Sequence, residues 1–137
     1  MPTILDSNVV LDILHEDAIW FSWSERQLRM RSEAGKLVIN AIIFAEASLR
    51  YSSFGEYRKL VASVGVELED IPWEAAFMAG QAQDQYRLSG GRRERVLADF
   101  LIGAHAAIRG YAVLTRDQAR YRTYFPRLDI IAPDTHR

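Results

Sequence analysis

Residues 2–12 read PTILDSNVVLD. A short apolar run, Thr3, Ile4 and Leu5, stops at Asp6, and a new apolar spacing begins at Val9, Val10, Ile13 and Leu14. The run is too short for a helix and reads as a buried strand. Ser7 or Asn8 is a natural cap for the helix that follows. Asp6 therefore stands at the carboxyl end of a strand, the edge where open α/β sheets place their ligands. A carboxylate fixed between two rigid elements there is well placed to hold a metal ion.

Working outward, the same alternation repeats. An amphipathic helix is expected over 15–34, carrying Ile19, Trp20, Trp23, Leu28 and Met30 and closed by Gly35. A second strand follows at 36–40, helical spacing at 41–52, and another helix at 54–64 ended by Gly65. Residues 66–71 read as a weak third strand, and Pro72 fits the start of a helix reaching about residue 88. Ser89-Gly90-Gly91 breaks that helix, and 92–109 is a strongly apolar-faced one stopped by Gly110. A fourth strand at 111–114 runs into Thr115-Arg116-Asp117, then come a short helix, a fifth strand at 128–131 and a polar tail from about 132. Strands alternating with helices imply an α/β fold: one domain over 1–137, with a central, mostly parallel five-stranded sheet and helices on both faces.

Composition narrows the function classes. At 137 residues, 49% hydrophobic and 26% charged, the chain reads as an ordinary globular protein with a real core. It has no cysteine, which excludes disulfides and thiolate metal sites and fits a reducing compartment. No apolar run approaches a membrane span and no signal-peptide layout opens the chain, so a cytoplasmic location is expected. Net charge is -1, yet only Lys36 and Lys59 among the 17 basic residues are lysine. Arginines crowd the C-terminal part, as expected of a surface that meets phosphates.

Four acids stand out by context. Asp6 and Asp117 each lie just past a predicted strand, and two such ends can converge on one crevice. Glu46 lies in IIFAEASL and Asp99 in VLADFLIGAHAA, acids inside apolar surroundings. Clustered carboxylates repel and are costly to bury unpaired, so such a set implies a cation. Oxygen donors without His or Cys favour Mg²⁺ or Mn²⁺ over zinc. The chemistry such ions support is phosphodiester hydrolysis. Each acid also has a plainer use: Asp6 or Asp117 as a helix cap, Glu46 as a partner of Arg50. Asp99 is the hardest to explain that way.

Around these, Asn8 and Thr115 are supporting candidates, while Asp12 reads as an exposed helix position as readily as an outer acid. His105 falls off the helix face of Asp99 and reads as packed or surface. Glu67, Glu69 and Asp70 read as a solvated strand edge, and Trp20, Phe21 and Trp23 as core or as a contact surface. The basic loop SGGRRER, with Arg92, Arg93 and Arg95, and also Arg116, could grip a nucleic-acid backbone. The loop lacks the spacing of either nucleotide-binding glycine motif.

The order Asp6, Glu46, Asp99, Asp117 resembles the four-acid signature of the PIN domain. The words LDSNVVLD, FAEASL, LADFLIGAHA and LTRDQARYRTYFP are similar to those of VapC-type toxins over essentially the whole chain. The resemblance implies a Rossmann-like α/β fold and a Mg²⁺- or Mn²⁺-dependent endoribonuclease, with these four acids as metal ligands or their close supports. It also implies neutralisation by a VapB-type antitoxin, a homodimer, and promoter DNA bound only through the antitoxin. Ser7, Asn8 and Thr115 match the family's small polar positions.

Rival readings differ in what they require. An aspartyl-nucleophile phosphatase wants a second Asp where Asn8 stands, and a phospho-accepting receiver domain wants an acidic pair and a late lysine that are absent. A non-catalytic PIN-like protein-binding module and a metal-dependent nuclease acting on DNA remain as alternatives.

Overall fold

The computed structural model describes residues 1–92 and 96–137. In chain order the elements are β1 (Thr3–Leu5), α1 (Ser7–Leu14), α2 (Phe21–Ala34), β2 (Leu37–Ile39), α3 (Ala41–Ala47) and α4 (Phe54–Ser63). Then come β3 (Val66–Leu68), α5 (Trp73–Leu88), α6 (Val96–Arg109), β4 (Ala112–Leu114), α7 (Ala119–Arg122) and β5 (Ile130–Ile131). The strands form one sheet in the order β3-β2-β1-β4-β5, and every pairing is parallel. β1 is central, and Thr3, Ile4 and Leu5 are completely buried. That is why its sequence is a continuous apolar run rather than an alternating one.

The strand order reverses at β1. The chain leaves β1 towards β2 on one side and later returns to β4 on the other, so the carboxyl ends of β1 and β4 flank the switch-point crevice. Leu5 pairs with Leu114, and the amide of Asp6 donates to the Leu114 carbonyl at 2.9 Å. Asp6 and Thr115 thus emerge side by side.

Two cores support the sheet. The larger joins its strands to Val9, Val10, Trp23, Ile43, Tyr57 and Val61, and the smaller packs Ala75, Ala79 and Ala82 of α5 against Val96, Phe100 and Ala104 of α6. Alanines at near-helical intervals let those two helices approach closely. Gly103 of α6 instead makes room for the segment after β4, since an added Cβ would stand 2.7 Å from the Phe125 ring and 3.1 Å from Tyr121.

Three local expectations need correction. The first cap is Asp6 itself, whose side chain accepts from the Ser7 amide, rather than Ser7 or Asn8. The helix expected over 15–34 starts only at Phe21, because the Asp17 carboxylate accepts from the amides of Ile19 (3.0 Å) and Trp20 (2.8 Å). Those two bonds hold the Asp17 pKa below its usual range and give the backbone an alternative to helix. The helical spacing at 41–52 ends at Ala47, where the Ser48 hydroxyl turns back to the Ala45 carbonyl.

Candidate active site

Asp6 is fully buried, and its carboxylate is held by donors from three directions. Oδ1 accepts from the Ser7 amide at 2.7 Å. Oδ2 accepts from the Thr115 hydroxyl and from the Tyr121 hydroxyl, each at 2.8 Å. Asp6 therefore caps α1 and is also a rigidly oriented anion at the crevice. Burial first, and then the adjacent Asp6 charge, push the Tyr121 phenol well above its ordinary pKa, so it stays a neutral donor.

Arg120 faces three acids at once. The Arg120 guanidinium lies with Nε 3.2 Å from Asp117 Oδ2, and with Nη1 3.5 Å from Asp99 Oδ1 and 3.8 Å from Asp6 Oδ2. Burial alone would lower the Arg120 pKa, but Asp6, Asp99, Tyr121 and Asp117 together raise it. The acids come from different elements: the end of β1, the first turn of α6 and the loop after β4. Asp6, Asp99 and Asp117 side chains are 0%, 14% and 47% exposed, so the group grades from floor to rim. Glu46 of α3 joins Asp99, Ser7, Asn8 and Arg120 in lining an adjoining cleft of about 700 Å³. Among the described residues, no three acidic or histidine side chains already close on a single ion.

The supports around this crevice are themselves bonded. Thr115 Oγ1 accepts from the Asp117 amide at 3.0 Å while donating to Asp6, and Asn8 Oδ1 accepts from the Arg116 amide at 3.2 Å. α3 is fixed by Asn40, whose Oδ1 accepts from the amides of Ile42 and Ile43. With that oxygen occupied, Asn40 Nδ2 faces His105 Nδ1 at 3.1 Å, which makes Nδ1 the acceptor and Nε2 the donor to Glu69 Oε1 at 2.9 Å.

A family model described as the PIN domain matches residues 3–126, a span that includes all four acids. The chain belongs to the PIN domain family. Its PIN fold is similar to that of VapBC2 from Rickettsia felis bound to a promoter DNA fragment, with 15% identity, a TM-score of 0.72, and coverage of 96% of this chain and 98% of that one. It is similar to VapBC-1 from nontypeable Haemophilus influenzae at 13% identity and a TM-score of 0.72, with the same coverage. FitAcB from Neisseria gonorrhoeae has 18% identity and a TM-score of 0.62, covering 98% of this chain and 99% of that one. At such identities the likeness is one of fold. No curated protein is significantly similar to the chain in sequence.

Within this PIN domain, the acids expected from the sequence lie at one crevice and its adjoining cleft, with Asn8 and Thr115 beside them. Arg116, expected to face a phosphate, is instead drawn to buried Asp12, with Nε 2.9 Å from Oδ2 and the guanidinium 5.2 Å from the Trp20 ring centroid. Asp12 is not an exposed helix position: it is 2% exposed and also accepts from the Ser24 hydroxyl at 2.7 Å. Burial raises its pKa, and the bonds from Ser24 and Arg116 oppose that rise. Glu69 is not a solvated strand edge, since it accepts from Tyr111 and His105 and pairs with Lys36 at 3.4 Å. Arg92 is exposed, and Arg93 and Arg95 lie outside the described residues.

Two site residues escaped the sequence reading, Arg120 and Tyr121. Their one legible signal is spacing: they stand three and four residues after Asp117 in a helix, where side chains turn back over the preceding turn.

Proposed function

We propose that this PIN domain, taken as one domain over residues 1–137, is a Mg²⁺- or Mn²⁺-dependent endoribonuclease and the toxin of a VapBC-type toxin–antitoxin pair. One observation carries the reading. A fully buried, triply bonded Asp6 lies at the sheet's switch point and faces, with Asp99 and Asp117, the Arg120 guanidinium. An ion-pair hub of no further use would be an expensive thing to build there.

The donor set fits a hard divalent ion. The acids supply only carboxylate oxygens, and the Arg120 guanidinium already stands where positive charge is wanted. Asp6, Asp99 and Asp117 would hold the ion, with Glu46 joining from the cleft wall. A bound divalent ion supplies a more acidic water and neutralises charge gathering on the phosphate.

The chain's own residues do the rest. Thr115 and Tyr121 hold Asp6 in one orientation, so no reorganisation is needed during reaction. Asp117, the most exposed of the three acids around Arg120, leaves room at the rim for water and phosphate. Asn8 ties α1 to the loop after β4 and so sets the spacing of Asp6 and Asp117. Arg92, Arg93 and Arg95, which stand shortly before Asp99 in the sequence, grip the RNA backbone, giving affinity without sequence choice. Arg116 is committed to Asp12 and is left out of that grip.

The partner reading is supported by the solved structures of similar fold, which are described as VapBC and FitAB complexes, some with DNA. We take this chain to bind a VapB-type antitoxin, to form a homodimer, to reach promoter DNA only through that antitoxin, and to act in the cytoplasm. No helix among the described residues is long and apolar enough to cross a membrane.

The test is incubation of total cellular RNA with purified protein and Mn²⁺, with EDTA in place of Mn²⁺, and with Asp99→Asn. Discrete fragments that need the metal and vanish in the variant support the enzyme. Cleavage of single-stranded DNA but not RNA would transfer the reading to a DNA nuclease. Neither cleavage nor Mn²⁺ binding would leave the protein-binding module.

A further inference from the structure

We infer that Arg120 is a resident cation of the acid site: its guanidinium and a divalent ion compete for Asp6, Asp99 and Asp117, and the ion enters by displacing it. The inference deepens the metal-dependent reading above and rests on it.

The distances carry it. A tight charge-assisted bond from a guanidinium to a carboxylate measures about 2.7–2.9 Å. Arg120 sits 3.2, 3.5 and 3.8 Å from its three acids, so it lies among them rather than bonding closely to one. A hard ion such as Mg²⁺ requires oxygens at about 2.0–2.1 Å. The carboxylates must therefore draw inward, which they cannot do around an intervening planar group. Metal entry and guanidinium exit become a single event.

The rest of the geometry permits that exit. Arg120 is 30% exposed and already forms part of the cleft wall beside Ser7, Asn8 and Glu46. It can leave by side-chain rotation while α7 stays in place. Asp6 would not be released with it, because its bonds to the Ser7 amide, Thr115 and Tyr121 are independent of Arg120. The arginine thus offsets charge on the acids without metal and weakens the site's apparent affinity for it.

Arg120→Gln is expected to have two effects of opposite sign. Metal-free protein loses thermal stability, because Asp6, Asp99 and Asp117 lose the guanidinium they share. Mn²⁺ affinity rises, by roughly 5- to 150-fold if the competition is of ordinary coupling strength. A merely structural arginine would lower both quantities, and a residue that only grips RNA would change neither.

The experiment measures Mn²⁺ binding by calorimetry to the wild type, Arg120→Gln and Asp99→Asn. In parallel, the Arg120 Nε–H resonance of wild-type protein is followed by NMR during Mg²⁺ titration, so the answer does not depend on the variant folding. Tighter binding by Arg120→Gln, with release of the Nε–H from Asp117 as Mg²⁺ is added, is the expected result. Equal or weaker binding with an unmoved Nε–H would overturn the inference while leaving the metal reading intact. No binding by any of the proteins would overturn the metal reading, and this inference with it.

Discussion

Replacing Tyr121 by Phe removes one hydroxyl and leaves the ring in place, which isolates the bond that orients Asp6. The phenol is fully buried and donates to Asp6 Oδ2 at 2.8 Å, and the carboxylate it serves is also fully buried. Hydrogen bonds to charged groups contribute about 1.5–3 kcal/mol. The larger loss expected for breaking a buried ion pair does not apply, because the Ser7 amide and the Thr115 hydroxyl still serve Asp6. The unfolding entropy of a 137-residue domain is on the order of 0.29 kcal/mol per kelvin, so Tm should fall by about 5–10 °C. The assay is thermal unfolding by circular dichroism in EDTA near neutral pH, where the phenol is un-ionised. A Tm within about 1 °C of wild type, on the same scale, would refute the claim that this bond holds Asp6.

Two further outcomes follow from the packing and the buried charges. Gly103→Ala places a methyl 2.7 Å from the Phe125 ring and 3.1 Å from Tyr121, so urea unfolding should show a loss of about 1–3 kcal/mol; an unchanged midpoint would mean that the contact relaxes freely. Burial raises the Glu69 pKa, but its hydrogen bonds from His105, Tyr111 and Lys36 outweigh that and leave it lowered. The stability it contributes is therefore present above its unfolded pKa and is lost as pH falls through the folded one. Glu69→Gln should flatten that acidic limb of a stability-versus-pH profile, and an unaltered slope there would exclude Glu69 as its source.

The expected strands emerged because all but β3, which reads Val-Glu-Leu, are short apolar runs with flanking breakers or polar residues, and such local signals survive packing. β1 is the clearest case, since full burial on both faces removes any polar alternation. Helix limits were less legible. Asp17 halted the expected helix through a side-chain bond whose outcome depended on competition with the backbone, which composition does not reveal. The acids expected at the site were visible because an acid in an apolar run, or just past a strand, is costly without a purpose. Asp12 and Glu69 were misjudged for the converse reason. Their partners Arg116, His105 and Tyr111 lie far away in the chain, and without them a solvated position was the simpler expectation.

The linear chain by itself determined the alternation of strands and helices, the acids at strand ends and the acids in apolar helices. All of these are set by residue type and short-range spacing. Tertiary structure alone decided which arginine faces the acids. Arg116 and Arg120 are both near Asp117 in sequence, yet Asp12 and Trp20 draw one away while α7 turns the other into the crevice. That choice depends on the direction in which each side chain leaves its backbone and on partners brought near only when the sheet closes.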